Sequence, residues 1–276
     1  MSASLSSRAE LPKRANTGLM FKILLRRCQA DCVLDIGSCD GSASLVFRQA
    51  LPAAQLIAFE ANPHLYQAMA ADPLLRRNRI EVFPYAITNT SGSAPFHVAD
   101  VEYQARRQPG TSSLLIAEGG WVLKETVEVQ TCRVDEFVLS RYPQAKRVGL
   151  WIDAEGAEFG VMEGISRIKE RVVAVHVETA RQPMRVGQKL YAELLPLMTS
   201  LGFTVVCTNM TQESLWGDVV FVSEKMRVNL GTRFHLCHWA GRLSSLCRAN
   251  LAGMFLREHC YPVYRPLARL YFKLFT

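Results

Sequence analysis

The feature that most limits how this chain can fold is a short apolar run that stops at a glycine. Residues 32–37 read Cys-Val-Leu-Asp-Ile-Gly, and a second glycine follows at Gly41. Such a run is the right length for a strand buried on both faces and too short for a buried helix. A strand buried on both faces needs helices above and below its sheet. The rest of the chain supplies them by alternation. Strands are expected at 55–60, 79–85, 148–153 and 172–178, and helices at 17–29, 42–50, 63–70, from about Glu155, and near 187–200. Two further apolar runs, 203–208 and 218–223, lie close enough to pair as a hairpin. The expected fold is α/β and Rossmann-like: a seven-stranded, mostly parallel sheet with a final antiparallel hairpin. A dinucleotide dehydrogenase would instead continue its sheet in parallel. Residues 91–133 interrupt the alternation, and 94–98 and 126–131 there alternate like hairpin strands around a Gly/Ser loop at 110–113.

With 276 residues, 49% of them apolar, the chain can bury one large α/β domain and carry an appendage. Its eight cysteines are scattered, without a CxxC pair or zinc-type spacing, so reduced thiols in a cytoplasmic protein are expected. Lys22 breaks the first apolar stretch, which argues against a signal peptide, and no stretch approaches the ~18 apolar residues of a membrane span. The net charge of +7 is uneven, since residues 231–276 hold seven basic residues and one acid.

The turn Asp35-Ile36-Gly37-Ser38-Cys39-Asp40-Gly41 sits where the first strand should give way to a helix, the end at which ligands bind such sheets. Its spacing is Gly-x-x-x-Gly, which is not the Gly-x-Gly-x-x-Gly pyrophosphate cradle. A nucleoside sulfonium carries no phosphates and needs close backbone approach with an acid near its cationic amino-acid end. Asp35, Gly37, Ser38, Asp40 and Gly41 suit that need. Glu60 closes the second strand about twenty residues on, where an acid can receive ribose hydroxyls.

Within residues 33–178 the chain resembles the FkbM family of methyltransferases. The resemblance is carried by Val33-Leu34-Asp35-Ile36-Gly37-Ser38, Ala58-Phe59-Glu60-Ala61-Asn62-Pro63, Tyr85-Ala86-Ile87, Ser91-Gly92, Ser112-Ser113-Leu114 and Val134-Asp135. Its most specific segment is Ile152-Asp153-Ala154-Glu155-Gly156-Ala157-Glu158, which holds the family's Asp-x-Glu-Gly-x-Glu. The resemblance implies the class I methyltransferase fold, S-adenosylmethionine as cofactor, Ala61 and Ala86 beside the nucleoside, and O-methylation of sugars or metabolite hydroxyls. Two positions depart from it: Ala61 stands where proline is common, and Trp151 where lysine is common. On this reading residues 1–30 form an arm and helix, 31–225 the methyltransferase domain with its 91–133 insertion, and 226–276 a basic amphipathic helical tail.

An alcohol is a poor nucleophile near neutral pH and needs a base or a metal ion. Asp153 and Glu178 end neighbouring strands, and Glu155 follows Asp153, so these three are the expected catalytic residues. Asp153 and Glu178 together could hold Mg²⁺, a cation that prefers oxygen ligands. Glu155 and Glu158 also suit the first turn of a helix, where the dipole favours acids. His176, two residues before Glu178, is expected in the core. The expected partner is a hydroxyl acceptor on a small molecule or glycan. The tail, with Leu243, Leu246, Leu251, Phe255, Tyr264 and Tyr271 among its arginines, could meet the inner face of a membrane, a second copy of the chain, or the domain itself. A nucleic-acid methyltransferase is an alternative that the basic tail favours. The near-neutral body and the missing Asn/Asp-Pro-Pro-aromatic motif speak against it. A scaffold that binds the nucleoside without chemistry is the other.

Overall fold

The computed structural model describes residues 11–231 apart from 100–101, 104–105, 108 and 119–122. The helical tail expected at 226–276 therefore falls outside the described residues beyond 231. In chain order the first elements are α1 (Thr17–Arg27), β1 (Cys32–Ile36), α2 (Ser42–Ala50), β2 (Gln55–Phe59), α3 (Pro63–Ala71), α4 (Pro73–Arg77), β3 (Ile80–Phe83) and β4 (Tyr85–Ile87). Next come β5 (Gly92–Ala99), β6 (Glu102–Tyr103), β7 (Arg106–Arg107), β8 (Leu123–Cys132), α5 (Val134–Arg141), β9 (Val148–Ile152) and α6 (Glu158–Glu163). The chain then forms β10 (Val172–Ala180), α7 (Tyr191–Ser200), β11 (Phe203–Thr208), β12 (Trp216–Ser223) and α8 (Glu224–Leu230).

The main sheet has seven strands in the order β11-β12-β10-β9-β1-β2-β3. All neighbours pair in parallel except those of β12, which runs against both β10 and β11. The expected α/β sheet with a closing antiparallel hairpin is thus present. The hairpin's second strand is the inner one, threaded between β10 and β11. Apolar side chains fill both sheet faces. Ile36, Leu150, Val175 and Phe221 belong to one core, which also takes in Phe137 and Tyr191. Val33, Ala58, Ala174 and Val220 belong to the other, under Phe21 and Leu24 of α1.

Local chemistry explains the element ends. Asn16 caps α1 by accepting from the Leu19 amide at 3.0 Å, and Asn62 caps α3 with Pro63 in its first turn. The third strand stops at Phe83 rather than running to Tyr85. Pro84 has no amide hydrogen for the ladder, and Tyr85 starts β4 in a separate three-stranded sheet, β4-β8-β5. In that sheet β5 and β8 pair antiparallel, Ala94 opposite Val129. The expected helix start at Glu155 moves to Glu158. Glu155 has φ +53 and Gly156 φ +102, and neither value is helical.

Candidate active site

The sheet order sets the site before any side chain is considered. The C-terminal ends of β2, β1, β9 and β10 lie in a row, with the start of β12 beside them. Glu60, Gly37, Asp153, Glu178 and Asp218 stand along that row.

At the β1 end the chain turns sharply at Gly37, φ +78. A Cβ built there would lie 1.8 Å from the Asp153 carbonyl oxygen, so the ends of β1 and β9 touch through bare backbone. The Asp153 amide donates to the Ile36 carbonyl at 2.9 Å, and the Gly37 and Ser38 amides both donate to the Phe59 carbonyl at 3.0 Å. Asp35 is buried beneath the turn. Its Oδ2 accepts from Ser38 Oγ at 2.8 Å and Ser44 Oγ at 2.7 Å, tying the turn to α2, and burial raises its carboxyl above the usual range. Glu60 is buried too, and it accepts from the Cys39 and Asn62 amides, each at 2.8 Å. Burial pushes its carboxyl up to about 7 against those two bonds.

Gly37, Glu60, Ala61, Ala86 and Asp153 line one cleft, walled by Ile36, Phe59, Ile87, Phe96 and Leu114. Five of the residues expected from sequence therefore meet there. Asp35, Ser38, Asp40 and Gly41 do not line it. Asp40 is exposed and accepts from the Ser42 amide at 2.9 Å at the start of α2, and Gly41 packs against Leu75.

Beside the cleft, single carboxylate oxygens of Asp153, Glu155 and Glu178 lie within 4.8 Å of one another, a grouping that can hold a cation or share a proton. Burial, then the neighbouring Glu155, raises Asp153 to about 7. Burial, then Asp153, raises Glu178 to about 9. Glu158 is buried and accepts from the Ala154 and Gly156 amides, at 3.2 and 2.8 Å, which fixes the turn rather than facing a ligand.

Two neighbours of this cluster escaped the sequence reading. Asp218 lies opposite Glu178 in the β10–β12 register and accepts from Thr17 Oγ1 at 3.2 Å and Asn209 Nδ2 at 2.6 Å. Arg185, 3% exposed, donates to Glu155 Oε2 at 2.6 Å and to the Thr111 carbonyl at 2.8 Å. Ser113 Oγ donates to the Glu155 carbonyl at 2.7 Å, so the 109–118 segment is tied over the acids from two sides. His176 sits in the core as expected. Its ring stacks on Trp151 at 3.5 Å with 10° between planes, and burial lowers it to about 3, so it stays neutral and is no base near neutral pH.

This strand order, a mostly parallel sheet closed by an antiparallel hairpin, is that of a class I methyltransferase. Residues 35–205 match the methyltransferase FkbM domain, and the chain belongs to that family. A 2-O-methyltransferase, NoeI, from Sinorhizobium fredii (strain NBRC 101917 / NGR234) is 27% identical over 174 residues, 61% of this chain and 71% of the relative. A solved FkbM methyltransferase from Methylobacillus flagellatus KT aligns at 12% identity and TM-score 0.45 over 76% of this chain. That alignment spans 48% of the solved protein, about half its length. The magnesium protoporphyrin IX methyltransferase ChlM from Synechocystis PCC 6803, solved with bound SAM, aligns at 12% identity and TM-score 0.41, covering 74% of this chain and 76% of its own. Among the described residues no helix is long and apolar enough to cross a membrane.

Proposed function

We propose that this methyltransferase moves the methyl group of S-adenosylmethionine to a hydroxyl oxygen of a glycan or small metabolite. The observation that carries the reading is the grouping of Asp153 and Glu178, with Glu155, directly beside the cleft formed by Gly37, Glu60, Ala61 and Ala86. The cleft suits an adenosyl group, because its walls are apolar and a carboxylate stands on its rim. Glu60 can receive ribose hydroxyls, and Ala61 and Ala86 leave room for a flat base. Asp35, Ser38, Asp40 and Gly41 hold the shape of the turn behind it.

The cofactor supplies an electrophilic methyl group on a sulfonium. The chain must place a hydroxyl oxygen in line with that methyl and take its proton. Asp153 and Glu178 repel each other, so near neutral pH one is ionised while its neighbour keeps a proton. The ionised member accepts the hydroxyl proton, the oxygen–methyl bond forms, the methyl–sulfur bond breaks, and S-adenosylhomocysteine is released. The Asp153 amide donates a hydrogen bond to the Ile36 carbonyl, which steadies the strand end from which its carboxylate would act. Arg185 offsets the charge of Glu155 and keeps the turn in position.

The three grouped oxygens also suit Mg²⁺, which would lower the hydroxyl pKa in place of a carboxylate base. Excess EDTA separates the two, since turnover that survives it removes the metal. The reading as a whole is tested by incubating the full chain with S-adenosylmethionine and a panel of glycans and hydroxylated metabolites, and measuring S-adenosylhomocysteine release. Acceptor-dependent release supports it. Methylation confined to amines or thiols would replace it.

A further inference from the structure

We propose that the acceptor is a neutral saccharide whose ring stacks on Trp216 while Asp218 and Glu178 receive its hydroxyls. This rests on the methyl-transfer reading above and narrows its substrate class. The register of β10 with β12 places Glu178 opposite Asp218 and Ala180 opposite Trp216. Side chains alternate along strands, so all four positions share one sheet face. Trp216 lies two residues outward from Asp218, about 7 Å along the strand. Its side chain is open, at 50% exposure, and Leu215 before it is 45% exposed. An exposed indole on the same sheet face as two carboxylates, two residues along the strand from one of them, is an unusual use of a large apolar ring.

The charges say what can lie there. Asp218 Oδ2 is engaged by Thr17 and Asn209, and among the described residues nothing donates to its Oδ1. Asp153, Glu155 and Glu178 are grouped with Asp218 beside them, and of the four only Glu155 is ion-paired with Arg185. A phosphorylated or otherwise anionic acceptor would be repelled by this row. A wholly apolar acceptor would have to desolvate the acids without hydrogen bonds in return. A pyranose satisfies both conditions. One face presents C–H groups to an aromatic ring, and its edge presents hydroxyls, which both donate and accept, to acids of which one is ionised and one keeps its proton.

Saturation-transfer difference NMR on the full chain with S-adenosylhomocysteine present tests this. The probes are methyl α-glucopyranoside, methyl α-mannopyranoside and methyl α-galactopyranoside, with sorbitol and glucose 6-phosphate as controls. At least one glycoside should saturate, strongest at the C–H protons of one ring face, and the controls should not. Trp216→Ala should weaken that glycoside's affinity about tenfold or more, as loss of an aromatic anchor does. Trp216→Phe should keep part of it, and both variants should bind S-adenosylhomocysteine as the wild type does. The proposal is overturned if no glycoside saturates while S-adenosylhomocysteine binds normally, if Trp216→Ala binds the glycoside unchanged, or if either control binds as well. Failure of the wild type to bind S-adenosylhomocysteine would instead remove the methyl-transfer reading, and the saccharide with it.

Discussion

Replacing Gly37 by alanine attacks the joint on which the whole site is hung. Its φ of +78 alone costs a non-glycine residue about 1–2 kcal/mol. The added Cβ would also fall 1.8 Å from the Asp153 carbonyl oxygen, which is backbone and cannot swing aside. The ends of β1 and β9 would have to part, and overpacking of that kind costs about 1–3 kcal/mol more. The sum is about 2–5 kcal/mol. Gly187 supplies the control, because its φ is +76 and nothing lies within 4 Å of a Cβ built there. Gly187→Ala should therefore show the conformational cost alone, about 1–2 kcal/mol. For a domain of this size each kcal/mol lowers Tm by about 2–4 °C. Calorimetry of the two variants and the wild type, with urea titrations to check that the m-value is unchanged, measures both effects. Gly37→Ala should be the less stable variant by about 1–3 kcal/mol, and its affinity for S-adenosylhomocysteine should fall as Asp153 is displaced. Equal destabilisation by the two substitutions would show that β1 and β9 do not meet at Gly37.

Other substitutions probe the acids and their surroundings. Asp153→Asn removes the carboxylate that accepts the hydroxyl proton and should lower kcat by about 10²–10⁴ in a protein that still binds S-adenosylhomocysteine; unchanged kcat would take Asp153 out of the chemistry. Arg185→Gln leaves half-buried Glu155 without this ion pair and should cost about 1–3 kcal/mol. In urea titrations the Glu155→Gln/Arg185→Gln double variant should recover much of that loss, and equal loss in the two proteins would refute the pairing. His176 is held at about 3 against an ordinary 6.5, so between those values the unfolded chain binds the proton that the folded chain refuses. Its contribution to stability therefore falls as pH drops below 6.5, by about 1.4 kcal/mol per pH unit. His176→Phe keeps a ring against Trp151 and removes that slope, so relative to wild type it should gain about 2 kcal/mol between pH 7 and pH 5. The raised carboxyls of Glu60, Asp153 and Glu158 act in the opposite sense but are common to both proteins. A stability difference that does not change with pH would contradict a neutral buried His176.

Much of the fold was legible because each central strand is a compact apolar run closed by a polar residue. The runs ending at Gly37, Glu60, Asp153 and Glu178 all end on one side of the sheet, so the strands and the candidate acids could be read together. The turn after β9 was harder. Glu155 and Glu158 look alike as first-turn helix acids, but the positive φ values of Glu155 and Gly156 delay the helix and turn Glu155 toward Arg185. Arg185 has no local signal, since its partner lies 30 residues away. Asp218 was hidden for a different reason. The runs 203–208 and 218–223 suggest a hairpin, yet nothing in them says that β12 also pairs with β10, and only that pairing brings Asp218 and Trp216 to the acids. The local role of Asp40 also had no clear signal: its carboxylate accepts from the Ser42 amide at the entry to α2.

Isothermal titration of the full-length chain with S-adenosylhomocysteine, repeated with Glu60→Gln, asks most directly whether the ends of β1 and β2 form a nucleoside site. The expected result is saturable one-to-one binding by the wild type that weakens in the variant. Absence of binding heat from a folded wild type, or equal affinity in the two proteins, would contradict it.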